Sequence, residues 1–287
     1  MTDLIKWKNH HIEDVEVNLL LEALKERYGY DFTGYARASL KRRLSGLIDD
    51  FSVAHLSQII PILLYDPQAA QQVINSISVP TSDFFRDPNV WSYLRSTVLP
   101  QLASFPRINI WQAGSGYGQE AYSLAILLHE TGLLKRSRIF SSDINPLFLD
   151  KARLGCWSMR HKQQWSDNYT QAGGISAFDD FFSLTNNTLA INDELKQSIE
   201  FVTHNLVTDE VFKEMQWVVC RNVLLYFGGA LQEQVVNLLT RSLERGGYLL
   251  LGRGENIIDL QEKHPQLELL DSSLQLYRKR IGYYPNV

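Results

Sequence analysis

Ile108-Asn109-Ile110-Trp111-Gln112-Ala113-Gly114-Ser115-Gly116-Tyr117-Gly118-Gln119-Glu120-Ala121-Tyr122-Ser123-Leu124-Ala125 decides the fold. An apolar strand runs into a glycine-rich turn, and the turn runs into a helix carrying Glu120. Glycines permit positive φ and let a ligand approach the backbone closely. The helix start offers free N–H groups to that ligand. Such a unit commonly holds a nucleotide-like cofactor, although the alternating Gly114, Gly116 and Gly118 are not the dinucleotide fingerprint. A tight β–α turn without a ligand is the plainer alternative.

A second acid stands where such a site needs one. Arg138-Ile139-Phe140-Ser141-Ser142-Asp143 reads as the next strand, and Asp143 lies 25 residues beyond Gly118. In doubly wound sheets an acid near this spacing hydrogen-bonds a ribose diol. Asp143 also suits the N-terminus of a helix from Asn145 to Arg153, and both readings are compatible.

The rest of the chain divides into two regions. From Ile12 to Ile77 the apolar spacing is helical. Val15, Leu19, Leu20, Leu24 and Tyr28 read as one face, and Leu40, Leu44 and Leu47 as a second. Leu56, Ile59, Ile60 and Leu63 read as a third, and a fourth helix spans about 68–77. Short connections suggest a small bundle. Pro88 to Leu99 reads as a connecting helix. From Arg107 the pattern becomes α/β, with strands expected at 107–112, 137–142, 199–203, 216–221 and 247–252. Helices are expected at about 118–130, 145–153, 208–214 and 229–244, and Glu268 to Ile281 reads as a closing hairpin. This alternation predicts a mostly parallel sheet covered on both faces. The polar stretch Trp157 to Asn192 interrupts it and reads as a small separate subdomain with a short antiparallel ribbon. The domains are therefore 1–78, a linker at 79–106, and 107–287 with an insert at about 157–192.

Composition narrows the function classes. The 287 residues carry a net charge of −4, with 45 % hydrophobic and 21 % charged residues, an ordinary globular balance that disfavours general nucleic-acid binding. Cys156 and Cys220 form no metal spacing and no disulfide framework, and the seven histidines are scattered. The start Met1-Thr2-Asp3-Leu4-Ile5-Lys6 is too polar for a signal peptide, and no run approaches a membrane span, so a cytoplasmic protein is expected. Serine-hydrolase and P-loop motifs are absent from the sequence.

Other residues carry possible chemistry. Val218-Val219-Cys220-Arg221-Asn222-Val223-Leu224-Leu225-Tyr226-Phe227 begins as a buried strand and ends in polar groups, so Arg221, Asn222 and Tyr226 are placed to line a cleft. Tyr226 reads equally as a core aromatic. Asn205 follows a strand and reads as a site or a turn residue. In Ser82-Asp83-Phe84-Phe85-Arg86-Asp87, Arg86 either grips a carboxylate or pairs with Asp87. Arg37, Lys41, Arg42 and Arg43 form a basic cluster that suits an acidic partner or a solvated helix face.

Five motifs in order resemble one family. Ala113-Gly114…Gly118-Gln119-Glu120-Ala121-Tyr122-Ser123 is similar to its A-G-x-S-T-G-E-E-P-Y-S, and Phe84-Phe85-Arg86 to its F-F-R. Ser142-Asp143-Ile144…Leu149-Asp150-Lys151-Ala152-Arg153-Leu154-Gly155 resembles S-D-I-D…L-x-K-A-R-x-G. Cys220 to Phe227 resembles C-R-N-V-x-I-Y-F, and Gly246-Gly247-Tyr248…Gly252-Arg253-Gly254-Glu255-Asn256 resembles G-G-x-L-x-x-G-H-S-E-N. The family is that of CheR-type chemotaxis-receptor glutamate O-methyltransferases.

The resemblance implies a class I, Rossmann-like methyltransferase domain behind an all-helical N-terminal domain, with a small inserted β-subdomain. It implies S-adenosylmethionine as cofactor, with S-adenosylhomocysteine as product. Glu120 matches the acid for the methionine amino group and Asp143 the acid for the ribose. Asn205 and Leu206 match a pair near the adenine, and Arg221 and Asn222 match residues at the methionine end. Ser82, Ala113, Gly114 and Gly118 match further cofactor positions. Arg86 and Tyr226 match the pair that orients the acceptor carboxylate. Arg37 to Arg43 resembles a receptor-docking helix whose partner is the cytoplasmic helical bundle of a chemoreceptor, through which alone a monomer would reach the membrane. Val79-Pro80-Thr81-Ser82 departs from T-N-x-T, Gln119 replaces an acid, Gly116-Tyr117 replaces Ser-Thr, and Arg253-Gly254 replaces His-Ser. Two other readings remain: a small-molecule methyltransferase, disfavoured by the basic helix, and a cofactor-binding protein that signals without transfer or with another acceptor.

Overall fold

The computed structural model describes residues 12–80, 82–185, 187–255 and 260–282. Contacts group the chain into two units: residues up to Val79 with Tyr226–Leu231, and Pro80–Leu225 with Gln232 onward.

The first unit is helical. Helices span Ile12–Tyr28, Arg37–Leu44, Gly46–Asp50, Ile59–Tyr65 and Pro67–Ile77, with a short 3-10 turn at Leu56–Gln58. Val17, Leu20, Leu21 and Leu24 are the buried face of the first helix, whereas Val15 and Leu19 are exposed. The expected face was thus off by part of a turn. The run Leu19-Leu20-Leu21 serves two helical registers equally, and packing chose the other. Leu40, Leu44 and Leu47 are buried as expected, although the helix is interrupted at Ser45. Asp66 caps the last helix through Gln68 N at 2.8 Å, and Pro67 stands at its first turn, where a missing N–H costs nothing. The return segment joins this unit by backbone: Ala36 N donates to Tyr226 O and Gly228 N to Gly34 O, each at 2.8 Å. The rings of Tyr35 and Phe227 meet edge-on at 4.9 Å.

The second unit is built on strands β1 Ile108–Ala113, β2 Ser137–Asp143, β3 Cys156–Ser158, β4 Phe182–Thr185, β5 Thr188–Ile191, β6 Ile199–Thr203, β7 Met215–Cys220, β8 Leu243–Leu251, β9 Leu267–Asp271 and β10 Leu276–Lys279. The main sheet runs β6-β2-β1-β7-β8-β10-β9. The first five strands in that order are parallel, and the closing β9–β10 hairpin is antiparallel. Every residue of β7 is buried, as a central strand covered on both faces requires. Strand order reverses between β1 and β7, which opens a crevice at their carboxyl ends.

Two expectations fail here. The helix expected at 208–214 is irregular chain. Asn205 Oδ1 accepts from Val207 N at 3.0 Å and Asp209 Oδ2 from Asn205 N at 2.9 Å, so these side chains close local turns ahead of the segment. Phe212 meanwhile packs on Trp111 at 5.2 Å. The insert also differs from a separate ribbon. It holds the small antiparallel sheet β3-β5-β4, but also a helix, Lys162–Gln171. That helix and sheet pack into the core around Phe84 and Phe85. The Asn186-Asn187 turn lies partly outside the described residues.

Phe84 is ringed by Trp157, Trp165, Phe178 and Phe182 at 5.0, 5.2, 5.6 and 5.4 Å. Phe84→Ala should therefore lower the free energy of unfolding by about 3–5 kcal/mol, read by urea denaturation. A loss under about 1 kcal/mol would mean the insert does not depend on this ring.

Candidate functional site

The crevice at the carboxyl ends of β1, β2 and β7 collects most of the residues singled out in the sequence. The glycine turn leaves β1 after Ala113. The amides of Gly114 and Ser115 both donate to Ser142 O at 2.8 Å, so the turn is fastened to β2. Gly114 has φ +80, and a Cβ there would lie 2.3 Å from Val223. Gly118 has φ +86 and faces Ala152, where a Cβ would be 2.9 Å away. Side chains are therefore excluded at Gly114 and Gly118, where the backbone is left bare. Below it lies a buried polar layer: Trp111 Nε1 donates to Ser142 Oγ at 2.8 Å, and Ser141 Oγ to Gln112 Oε1 at 2.6 Å.

Arg221 is the centre of the site. Its side chain has no exposed surface. One guanidinium nitrogen donates to Glu120 Oε2 at 2.6 Å, and another to Asp87 Oδ2 at 2.5 Å and to Arg86 O at 3.2 Å. Its Nε is buried without a partner among the described residues. Glu120 also accepts from Gln112 Nε2 at 3.3 Å, and its backbone N donates to Ser82 Oγ at 3.3 Å. The alternative pairing of Arg86 with Asp87 is overturned: Arg221 takes that carboxylate, because a buried cation needs its anions more than a half-exposed one does.

The loop before this cluster is tightly held. Phe85 and Asp87 both have positive φ, 50° and 58°. Phe85 N donates to Ser123 Oγ at 2.9 Å, Trp91 Nε1 to Arg86 O at 2.9 Å, Trp165 Nε1 to Asp83 Oδ1 at 2.9 Å and Asn168 Nδ2 to Phe84 O at 3.0 Å. Among the described residues the Arg86 guanidinium has no hydrogen bond or ion pair, and Arg86 is half-buried.

Asp143 ends β2 with a half-buried carboxyl group. Oδ2 accepts from Gly116 N and Oδ1 from Asn145 N, each at 2.9 Å. Burial pushes its pKa up to about 6, against the pull of backbone amides toward the charged form. Glu255, which sequence reasoning quoted without a role, is 3 % exposed. It accepts from Leu224 N at 2.7 Å and from Gly252 N, tying the loop after β7 to the end of β8. Burial raises its pKa as well. Asn222, in this loop, has φ 62°. Asp87, Gln112 and Glu255 are the site residues the sequence did not assign. The signals were an acid directly after F-F-R, a polar residue within an apolar strand, and an acid three residues past a strand-end glycine.

Other singled-out residues stand apart. Asn205 uses its side chain in its own turn, and Leu206 beside it is buried. Tyr117 packs edge-on to Phe148 at 5.2 Å, with Lys151 Nζ 4.7 Å from its ring. Tyr226 falls in the helical unit, where the Arg43 guanidinium lies 4.4 Å from its ring. Arg43 also donates to Ile77 O. Arg37 holds Asp14 at 3.2 Å and Lys41 holds it at 2.7 Å, so two of the four basic residues are neutralised within the bundle. Arg42 is exposed and has no ion pair among the described residues. Among the described residues no group of His, Cys, Asp and Glu could hold a metal ion, and no helix is long and apolar enough to cross a membrane.

The geometry fits a nucleoside bearing an amino acid. Glu120 offers an acid where an ammonium group could bind, Asp143 offers one suited to a diol, and the orphaned Arg221 Nε is a buried donor without an acceptor. Comparison with known proteins agrees. Residues 80–271 match the CheR methyltransferase, SAM binding domain. Residues 16–78 match the CheR methyltransferase, all-alpha domain. Fold and site thus define a class I methyltransferase that uses S-adenosylmethionine. The chain belongs to the CheR methyltransferase family. It is 38 % identical to a Pseudomonas putida KT2440 protein that carries the name methyltransferase Cher3, over 93 % of this chain and 97 % of that one. It is 29 % identical to a chemotaxis protein methyltransferase of Listeria innocua, over 86 % and 93 % of the two chains. It is 28 % identical to chemotaxis protein methyltransferase 1 of Vibrio cholerae, over 88 % and 93 %.

Asp143 generates a pH prediction. Its folded pKa exceeds the ordinary 3.8, so this group favours the folded state most below pH 3.8. That contribution fades as pH rises toward about 6. A carboxylate accepts from both hydroxyls of a diol, so an Asp143 that binds the ribose should make cofactor affinity run the other way. Affinity for S-adenosylhomocysteine is expected to drop about tenfold between pH 7 and pH 5, measured by calorimetry. In Asp143→Asn the drop should vanish. A wild-type affinity that is flat over this range would separate Asp143 from the ligand.

Proposed function

We propose that this protein transfers methyl groups from S-adenosylmethionine to glutamate side chains on the cytoplasmic helices of chemoreceptors. The observation that carries this reading is the Glu120–Arg221–Asp87 chain, which fastens the Arg86 backbone beside the cofactor crevice. The names of the relatives point to chemotaxis, which supports a chemoreceptor acceptor.

Bound S-adenosylmethionine supplies a sulfonium methyl group, which passes to a carboxylate oxygen and leaves a methyl ester and S-adenosylhomocysteine. A glutamate is already ionised near neutral pH, so the protein needs no strong base. Its task is alignment of carboxylate oxygen, methyl carbon and sulfur. In this reading Glu120 and Asp143 hold the two ends of the cofactor, Ser82, Ala113, Gly114 and Gly118 shape its cradle, and Arg221 and Asn222 line the methionine end. Asn205 and Leu206 flank the adenine. Arg86 and Tyr226 orient the acceptor. Charges on carboxylate and sulfonium cancel in the transition state, so tight binding of the free carboxylate would slow the reaction. A half-exposed Arg86 without an acid partner suits orientation rather than capture.

The helix Arg37–Leu44 is the proposed receptor-docking surface. Arg42 is exposed and without an ion pair among the described residues, while Arg37 and Lys41 shape the helix pair through Asp14. Arg43 lies against the Tyr226 ring, so docking and acceptor positioning share a contact within the helical unit. The acceptor places such a protein in the cytoplasm, acting as a monomer that meets the membrane only through the receptor, with no nucleic-acid partner.

The decisive experiment is transfer of radiolabelled methyl to membranes containing the host's chemoreceptors, with release by mild alkali as the ester test. Alkali-labile label on receptor is expected, and its absence from every receptor would remove this acceptor. Arg86→Ala should lower the transfer rate most, and Tyr226→Phe by about tenfold, the scale of one orienting hydrogen bond. Wild-type rates in both variants would make the two residues structural.

The docking face is tested separately by Arg42→Glu. It should raise the KM for receptor and leave affinity for S-adenosylhomocysteine unchanged. Added salt should weaken wild-type docking more than docking of this variant, because screening acts on exposed charge. An unchanged KM would mean the helix is only a solvated face.

A further inference from the structure

We propose that Asp87 is a positioning residue, which acts through Arg221 to fix the backbone of Arg86 against the cofactor acid Glu120. The proposal rests on the methyltransferase reading above and adds a residue to it. Asp87 stands directly before the helix Pro88–Tyr93, where an aspartate ordinarily accepts from the first backbone amides. It makes no such side-chain bond. Its carboxylate is turned to Arg221 at 2.5 Å. The nitrogen that meets Asp87 also donates to Arg86 O at 3.2 Å. The opposite nitrogen meets Glu120 at 2.6 Å. One guanidinium therefore measures the spacing between the cofactor acid and the chain carrying Arg86.

The backbone shows why this segment needs holding. Phe85 and Asp87 are both in the left-handed region, at φ 50° and 58°. Strain of this kind persists only where the surroundings over-determine it. Aromatic packing holds Phe85, with Trp91 at 5.3 Å and Tyr169 at 5.2 Å. Asp87 is only half-buried, so packing holds it less and the ion pair matters more. Loss of the Asp87 charge would leave the Arg221–Glu120 pair intact and release the other side. Cofactor affinity and acceptor turnover should therefore respond differently.

Asp87→Asn separates the charge from the shape, since asparagine tolerates positive φ as well as aspartate does. Hydrogen exchange is read at two protected amides of the loop, Phe85 N, bonded to Ser123 Oγ, and Val90 N, bonded to Asp87 O. In Asp87→Asn both should exchange at least about tenfold faster, while amides of β1 stay as in the wild type. Transfer to receptor membranes should lose about tenfold or more in kcat. Affinity for S-adenosylhomocysteine should stay within about threefold. Wild-type exchange at Phe85 and Val90, or a wild-type kcat, would overturn the proposal, and so would equal loosening of β1. A wild-type protein that transfers nothing to receptors would sink the acceptor reading, and the exchange pattern would still decide whether Asp87 orders the loop.

Discussion

Everything at the site depends on one buried cation. Arg221 has left water completely, and an isolated charge in that setting would be strongly unfavourable. Its two anions come from different parts of the chain: Glu120 from the first turn of the helix after the glycine loop, Asp87 from the segment before β1. Neither segment can leave without exposing an uncompensated charge to the interior. The end of β7, the cofactor turn and the F-F-R loop are thereby made one object, although 134 residues separate Asp87 from Arg221.

A second constraint acts from the other side of that loop. The insert between β2 and β6 contributes Trp157, Trp165, Phe178 and Phe182 to the well around Phe84, and Asn168 and Trp165 bond to the loop itself. The loop is thus gripped by aromatic packing on one side and by an ion pair on the other. This is the arrangement a strained segment needs, since positive φ at Phe85 is maintained only by its neighbours. The insert is thus part of the scaffold that holds the loop carrying Arg86.

The legible parts of the sequence were those that local chemistry determines. The glycine turn could be placed because only glycine serves at Gly114, where a side chain would meet Val223. Asp143 could be placed because a strand ends there, and Arg221 and Asn222 because ligands gather at the carboxyl ends of strands. What escaped was long-range choice. Between Arg86 next door and Arg221 far along the chain, spacing cannot say which cation Asp87 prefers, and burial decides it. The basic run Arg37 to Arg43 looked like a uniform stripe. Asp14, on another helix, pairs with Arg37 and Lys41, while Arg43 meets a carbonyl and a ring and Arg42 has no ion pair among the described residues. The chain around Asp209 carried helix-compatible residues, yet it runs as irregular chain after the turns that Asn205 and Asp209 close.

The electrostatic balance follows from these pairings. Glu120 carries one charge, and Arg221 offsets it at 2.6 Å. Asp87 adds a second negative charge on the far side of the guanidinium, so the cation is outnumbered by its two acids. In the proposed transfer, a positive sulfonium and a negative carboxylate lose their charges together. A strong net field of either sign would hold one reactant back from that neutralisation. Arg221 sits between two acids and donates to both, so it contributes geometry and no uncompensated positive charge. In that proposal Arg86, unpaired among the described residues, is the cation that turns a carboxylate toward the methyl group. The buried arginine fixes position, and the half-exposed one is the proposed contact to the acceptor.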